Sequence, residues 1–196
     1  MEEKEIQLTP DEKSLLLRIA RESVQAYLEE GVPPAMDTYP LTPLLKQKMG
    51  VFVTLRCAGA LRGCIGHIFA QKGLAQTVAV NAVNAGFYDS RFAPLRPEEL
   101  EALRFEVSVL LPAEEESPFI PVNDPGEICI GRDGLYLEHP EGRGLLLPQV
   151  PVEQGWNGTA FLEGICRKAG VHAGGWQDPG ARLWRFRACV FGESED

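Results

Sequence analysis

The order of secondary-structure elements that the sequence predicts occurs twice. Residues 51–69 form two apolar-rich runs around Ala58, Gly59 and Ala60, which is typical of a β-hairpin. The small, apolar segment 73–88 lacks strand alternation and predicts a buried helix, and residues 103–111 alternate as a half-buried strand does. The second half repeats hairpin, helix and strand, so we predict an internal duplication of about 51–111 and 127–191.

Local signals place the remaining elements. Thr9, Pro10 and Glu12 form a capping box that begins a first helix, which Gly31 ends. In the second half, the runs 127–131 and 135–139 flank a turn signal at residues 132–134, which predicts a hairpin there. Asn157 predicts the start of a helix over 158–169, and an alternating strand follows over 182–191. These patterns predict an α+β fold.

In the strand over 103–111, period-two alternation assigns one set of side chains to the core. That set is Leu103, Phe105, Val107 and Val109. Arg104 and Glu106 then face solvent or a polar cleft.

Charge and composition exclude several classes of function. The chain has 19 Lys and Arg against 28 Asp and Glu, a net charge of −9, which disfavours generic binding to nucleic acid. The first residues are acidic where a signal peptide is basic, and no apolar run has the ~20 residues that a membrane span needs. We therefore expect a cytoplasmic protein with no membrane partner.

The five cysteines are predicted to be reduced thiols, because they lack C-x-x-C spacing and a chain of this size needs no disulfide framework. Four of them lie in apolar patterns and are expected in the core: Cys57, Cys129, Cys166 and Cys189.

The fifth cysteine, Cys64, stands in the stretch "LRGCIGHI" beside an arginine and two glycines. On a regular strand Arg62, Cys64 and Gly66 share one face, and a guanidinium beside a thiol favours the thiolate. Gly63 and Gly66 leave room for a ligand or another backbone, or mark a bulge. We predict Cys64 and Arg62 as catalytic residues and the two glycines as ligand-binding residues. A buried, structural Cys64 is the alternative.

Two further stretches carry polar side chains that we assign to ligand binding. Asp89 and Arg91 follow the predicted buried helix, where a helix cap with a local ion pair is the alternative. Gln149 and Glu153 lie in a proline-containing segment that lines a ligand cleft or forms an edge strand ending in a turn. The four side chains would support Cys64 in a cleft where the two repeats meet.

No familiar motif for a metal or a cofactor is present. The histidines lack the spacing of metal ligands, so no metal site is predicted. The phosphate-binding and hydrolase motifs are also missing, and the cofactor stays unknown.

Six motifs in order resemble the AMMECR-type domain family, whose prokaryotic members are called AmmeMemoRadiSam system protein A. They are "LRGCIG" (61–66), "DSRFAPLRPEEL" (89–100), "EVSVL" (106–110), "IGRDGL" (130–135), "GLLLPQVPVEQGW" (144–156) and "FLEGICRKAG" (161–170). The resemblance implies a single α+β domain over 1–196, with a core of about 15–191. It further implies that two β-α repeats share one barrel-like, mainly antiparallel sheet with flanking helices.

The resemblance also bears on function. It marks the pentapeptide from Arg62 to Gly66 as a functional site, and it implies a Memo-like protein and a radical SAM enzyme as partners. One hypothesis is an enzyme, or a substrate-handling subunit, that uses Cys64 on a small or carrier-bound substrate. The other is a non-catalytic binding or adaptor module for a small-molecule, nucleotide or peptide ligand, with a structural Cys64.

Overall fold

The structure is a computed structural model that describes residues 7–113 and 117–194. The acidic residues 1–6, on which the expectation about a signal peptide rests, lie outside the described residues. The helices and strands are α1 (Pro10–Glu30), β1 (Val51–Cys57), β2 (Ala60–His67), α2 (Leu74–Phe87), β3 (Leu103–Leu111), β4 (Ile120–Pro121), β5 (Asp133–His139), β6 (Gly142–Leu146), α3 (Gln149–Glu153), α4 (Gly158–Ala169) and β7 (Arg182–Gly192). The predicted α+β class is confirmed.

The chain divides into two compact units. The first comprises the residues up to Val109 together with those from Cys189 onward, and the second comprises Leu110–Ala188. Strand β7 therefore begins in the second unit and ends in the first. No helix among the described residues is long and apolar enough to cross a lipid bilayer.

In the first unit, β1 lies between β2 and β3 and is antiparallel to both. The turn from β1 to β2 places Ala58 and Gly59 at positive φ, 48° and 74°, as a two-residue hairpin turn requires. Helix α2 packs on β1 and β2, and α1 packs on α2. The end of β7 lies beside β3, where the N–H of Glu193 donates to the carbonyl oxygen of Phe105.

The start of α1 follows the predicted capping box. The hydroxyl of Thr9 accepts the N–H of Glu12, and the carboxylate of Glu12 accepts the N–H of Thr9. Gly31 ends the helix at φ 77°, in the left-handed region where glycine carries no steric penalty.

The second unit has the same strand arrangement. Strand β5 lies between β6 and β7 and is antiparallel to both, β4 adds to β7, and α4 packs on β5 and β6. In each unit the first strand of the hairpin is therefore the central strand. Each unit runs from hairpin through helix to strand, and in the second unit the short helix α3 precedes α4.

The position of the second hairpin was predicted wrongly. Residues 127–131 form no strand, and the hairpin joins β5 to β6 through a turn at Pro140 and Glu141. The predicted turn signal at residues 132–134 leads into β5 instead, which begins at Asp133, and Arg132 and Asp133 form an ion pair there.

The segment around Gln149 is helical and not an edge strand. Residues 149–153 form the short helix α3, which the N–H of Gln154 closes by donating to the carbonyl oxygen of Val150. The prediction for α4 is confirmed, since the side chain of Asn157 accepts the N–H of Ala160 and Gly170 ends the helix at φ 75°.

The alternation predicted for β3 is also confirmed. Leu103, Phe105, Val107 and Val109 are at most 1% exposed, within the core of the first unit. Because side chains alternate along a strand, this face packs on the core and the other carries Arg104, Glu106 and Ser108.

Phe105 offers a direct test of this core. Replacing it by alanine should lower the free energy of unfolding by about 3–5 kcal/mol, the usual cost of emptying a buried aromatic site. Urea denaturation measures the change. Val190→Ala is the control, because Val190 is 36% exposed and should cost less than about 1 kcal/mol. Equal losses in both variants would contradict the assignment.

Candidate functional site

Cys64 lies on β2, an outer strand of the first unit, opposite Thr54 of β1. The register shifts just before it, because Leu55 pairs with Gly63 and Arg56 pairs with Leu61. Arg62 is thus the extra residue of a β-bulge. The bulge interrupts the regular alternation on which the shared face of Arg62 and Cys64 was predicted.

Asp89 and Arg91 hold the backbone of Cys64 at its outer edge. The N–H of Cys64 donates to Oδ2 of Asp89 at 2.9 Å, and Nη2 of Arg91 donates to the carbonyl oxygen of Cys64 at 3.3 Å. Both backbone groups are satisfied by side chains, as a neighbouring strand would satisfy them. The two predicted ligand-binding residues therefore contact the main chain of the predicted catalytic cysteine.

Asp89 and Arg91 also form an ion pair with each other. Nε and Nη2 of Arg91 donate to Oδ1 and Oδ2 of Asp89 at 2.9 and 2.6 Å. The carboxylate side chain is 4% exposed and the guanidinium side chain 46% exposed. The hydrogen bonds from Arg91 and the N–H of Cys64 lower the pKa of Asp89 to about 2.

One hydrogen bond and one charge interaction of the Cys64 thiol bear on its chemistry. The hydroxyl of Thr54 donates to Sγ at 3.3 Å. The Arg91 pKa is raised mainly by its hydrogen bonds to Asp89, and the charge of ionised Cys64 raises it further. Sequence analysis did not identify Thr54, because its relation to Cys64 depends on the register of two strands.

Arg62 belongs to a different ion pair. Its Nε and Nη2 donate to the two carboxylate oxygens of Glu99 at 2.7 and 3.1 Å, and these bonds lower the pKa of Glu99. Its Nη1 is buried and has no hydrogen-bond partner in the described part of the chain. The guanidinium carbons of Arg62 and Arg91 lie 6.0 and 5.4 Å from the ring centre of Phe92. A catalytic role of Arg62 stays a prediction.

Atoms of the protein itself fill the space beside the two glycines. A Cβ on Gly63 would lie 2.0 Å from the carbonyl oxygen of Ala85 in α2, and one on Gly66 would lie 2.1 Å from the ring of Phe52. Close packing against helix and strand explains why both positions need glycine. Ligand binding by either glycine stays a prediction.

Gln149 and Glu153 stand in the second unit, at the two ends of α3. The structure brings the other six predicted site residues together on or beside β2. Ligand binding by Gln149 and Glu153 stays a prediction.

A similar arrangement occurs in the second unit. The N–H of Cys129 donates to Oδ2 of Asp133 at 2.9 Å, and Arg132 donates to both oxygens of Asp133 at 2.9 and 2.6 Å. Burial opposes ionisation of Asp133, but these bonds hold its pKa below its usual value. Cys129 is exposed, so its expected place in the core was wrong.

The other cysteines and the histidines add no further centre. Cys166 is buried, Cys57 and Cys189 are half buried, and no disulfide joins any of the five cysteines, all of which are described. Nδ1 of His67 contacts the side chain of Asn81 at 2.7 Å. Within residues 7–113 and 117–194, no group of three or more His, Cys, Asp or Glu side chains could hold a metal ion.

These features define a class of α+β protein in which a hairpin–helix–strand unit occurs twice and an aspartate–arginine pair holds a cysteine-bearing outer strand. The chain belongs to the AMMECR1 family, whose model matches residues 17–191. The predicted resemblance is thereby confirmed.

Relatives match nearly the whole chain. A protein of Thermococcus gammatolerans is 45% identical over 186 residues, covering 91% of this chain and 88% of that protein. A protein of Thermofilum pendens is 40% identical over 199 residues, covering 95% and 92%. The crystal structure of the uncharacterized protein PH0010 from Pyrococcus horikoshii has a TM-score of 0.86 at 36% identity and covers 96% of this chain and 95% of that one. The names of these relatives specify no biochemical activity.

The packing at Gly63 predicts a large effect of one added methyl group. Gly63→Ala should destabilise the protein by about 1–3 kcal/mol or more, because backbone of α2 must move to admit the Cβ. Gly158→Ala is the matched control: Gly158 lies in α4 with no atom within 4 Å of an added Cβ, so stability should stay the same or rise by up to about 1 kcal/mol. Urea denaturation compares the two. A neutral Gly63→Ala would refute the close contact.

The Asp89 ion pair predicts a pH-dependent effect. The pKa of Asp89 is about 2 in the folded protein against 3.8 ordinarily, so ionised Asp89 stabilises the fold by about 2 kcal/mol above pH ~4. That stabilisation is lost as the pH falls through the folded value. Asp89→Asn should therefore lower stability by about this amount at neutral pH, and the difference from wild type should shrink between about pH 4 and about pH 2.

Urea denaturation across that pH range measures the difference. The control is Asp37→Asn, which changes an exposed aspartate of the same unit. A constant difference between wild type and Asp89→Asn at all pH values would contradict the role of the carboxylate charge.

Proposed function

We propose that this chain is a cytoplasmic enzyme or substrate-handling subunit whose site is built around Cys64 and which acts with a Memo-like protein and a radical SAM enzyme. The observation that carries the proposal is the environment of the Cys64 thiol. Sγ accepts a hydrogen bond from Thr54, and the Arg91 guanidinium contacts the Cys64 main chain. A donated hydrogen bond and a nearby cation are the contacts that stabilise a thiolate.

The rigidity of the strand at Cys64 supports the same proposal. Both outward backbone groups of Cys64 are bonded to Asp89 and Arg91, and the buried carboxylate fixes the guanidinium. A strand backbone and a guanidinium held in this way keep their orientation without further ordering when a substrate binds. The partners are inferred from the family resemblance, and the site would present a small or carrier-bound substrate to them.

A second candidate function is a non-catalytic binding or adaptor module for a peptide, nucleotide or small molecule. It is favoured by the packing of Gly63 and Gly66 against atoms of the chain and by the pairing of Arg62 with Glu99. On this account the stretch from Arg62 to Gly66 holds α2 and the 3₁₀ helix over 97–102 in place. Cys64 then contributes packing and no chemistry.

Alkylation rates test the proposal. Cys64 should react with iodoacetamide at neutral pH about tenfold faster than Cys57 and Cys189, which are also half buried. In this reaction Sγ displaces iodide from the reagent carbon. Thr54→Val should slow Cys64 by about tenfold and leave the other two unchanged, because it removes a hydrogen bond to the charged sulfur. Mass spectrometry of each cysteine peptide gives the rates.

Arginine variants complete the test. Arg91→Ala should slow alkylation of Cys64 more than Arg62→Ala does, since Arg62 is paired with Glu99. Slow alkylation of Cys64, with no effect of Thr54→Val and a marked loss of stability in Cys64→Ser, would overturn the proposed thiol site and show a structural thiol, as the second candidate function requires.

A further inference from the structure

Arg91 presents an unused side of its guanidinium to solvent. Nε and Nη2 bind Asp89 and the Cys64 carbonyl oxygen. Its Nη1 has no hydrogen-bond partner within residues 7–113 and 117–194. The carboxylate of the pair is buried and the guanidinium half exposed, so the pair places its negative end inside and its positive end outside.

The guanidinium of Arg91 lies beside Cys64, where it could bind part of a substrate. The guanidinium contacts the main chain of that residue, and ionised Cys64 contributes to the raised pKa of Arg91. The other nearby guanidinium, that of Arg62, is 16% exposed and bonded to both oxygens of Glu99. Of these two guanidinium groups, that of Arg91 is therefore the more exposed, and its Nη1 remains able to donate to a ligand.

The net charge of the chain also affects how an anionic ligand could bind. A net charge of −9 repels anions at long range, so an anionic ligand needs specific local donors. Arg91 meets that need at small entropic cost, because its bonds to Asp89 already restrict the side chain. Guanidinium N–H groups match carboxylate and phosphate oxygens in charge and geometry.

We propose, on the basis of the proposed function, that the Cys64 site takes substrates with an oxyanion group, a carboxylate or a phosphate, which Nη1 of Arg91 binds next to the thiol. Asp89 acts as a positioning residue that holds Arg91 in this orientation. The reacting part of the substrate then lies over Cys64.

The test compares an anionic with a neutral alkylating reagent of nearly the same size, iodoacetate and iodoacetamide, at constant ionic strength. The iodoacetate-to-iodoacetamide rate ratio at Cys64 should exceed that at Cys57 by about fivefold, the effect of one charge a few ångströms away in water-like surroundings. Arg91→Gln should reduce the ratio at Cys64 to that at Cys57. Because both reagents report on the same thiol, altered access or reactivity in the variant cancels in the ratio.

The second unit supplies a matched control. Arg132 is paired with Asp133 in the same geometry and is 44% exposed, and Asp133 binds the N–H of Cys129. Arg132→Gln should change the ratio at Cys129 and leave Cys64 unchanged. An equal ratio at Cys64 and Cys57, or a Cys64 ratio that Arg91→Gln does not lower, overturns the oxyanion inference. The absolute iodoacetamide rate separately decides whether the proposed thiol site stands.

Protection experiments identify the oxyanion. Inorganic phosphate or acetate, replacing chloride at fixed ionic strength, should slow iodoacetamide at Cys64 in a saturable way and leave Cys57 unaffected. Stronger protection by phosphate indicates a phosphate-bearing substrate, and stronger protection by acetate indicates a carboxylate. Absence of protection by both, in wild-type protein whose Cys64 reacts rapidly, overturns the inference while the thiol site stands.

Discussion

The close contact between β2 and α2 at Gly63 is the constraint on which the candidate site depends. A Cβ at this position would lie 2.0 Å from the Ala85 carbonyl oxygen, so only glycine lets the helix approach the strand this closely. Helix α2 ends two residues later, at Phe87, and the chain that follows runs alongside β2. Asp89 can then bind the N–H of Cys64, and Arg91 its carbonyl oxygen.

In the second unit a glycine also allows close packing between a hairpin strand and a helix. A Cβ on Gly142 of β6 would lie 2.1 Å from the Ala169 carbonyl oxygen of α4. Each hairpin therefore has a glycine on its second strand that meets a carbonyl group near the end of the helix that packs on it. The aspartate–arginine pairs do not follow this correspondence, because Asp133 begins a strand and Asp89 follows a helix. The two units thus share the packing of helix on hairpin, and they differ in where the polar pair lies.

Arg62 and Arg91 illustrate how the surroundings of a charged side chain determine its role. Arg62 is mostly buried and bonded to both oxygens of Glu99, so the pair connects β2 to the 3₁₀ helix over 97–102. Arg91 is half exposed above a buried carboxylate, and its positive end faces solvent. A buried ion pair holds two elements in one arrangement. A half-exposed guanidinium that still has N–H groups without partners can bind an anion. The functional proposals therefore rest on Arg91 and Thr54 as well as on Cys64.

The sequence by itself determined the elements whose cause is local: the capping box at Thr9, the helix that Asn157 begins and Gly170 ends, and the alternation of β3. It also singled out Cys64, Asp89 and Arg91, because a thiol between glycines and a charged pair after a helix are visible as patterns. Only the tertiary structure decided the bulge at Arg62, the pairing of Arg62 with Glu99 and the contact of Thr54 with the thiol. These depend on strand register and on residues 10–37 positions apart, which no local propensity encodes. The second hairpin was misplaced because residues 132–134 resemble a turn in sequence, whereas Asp133 begins β5 and the hairpin turn lies at Pro140 and Glu141.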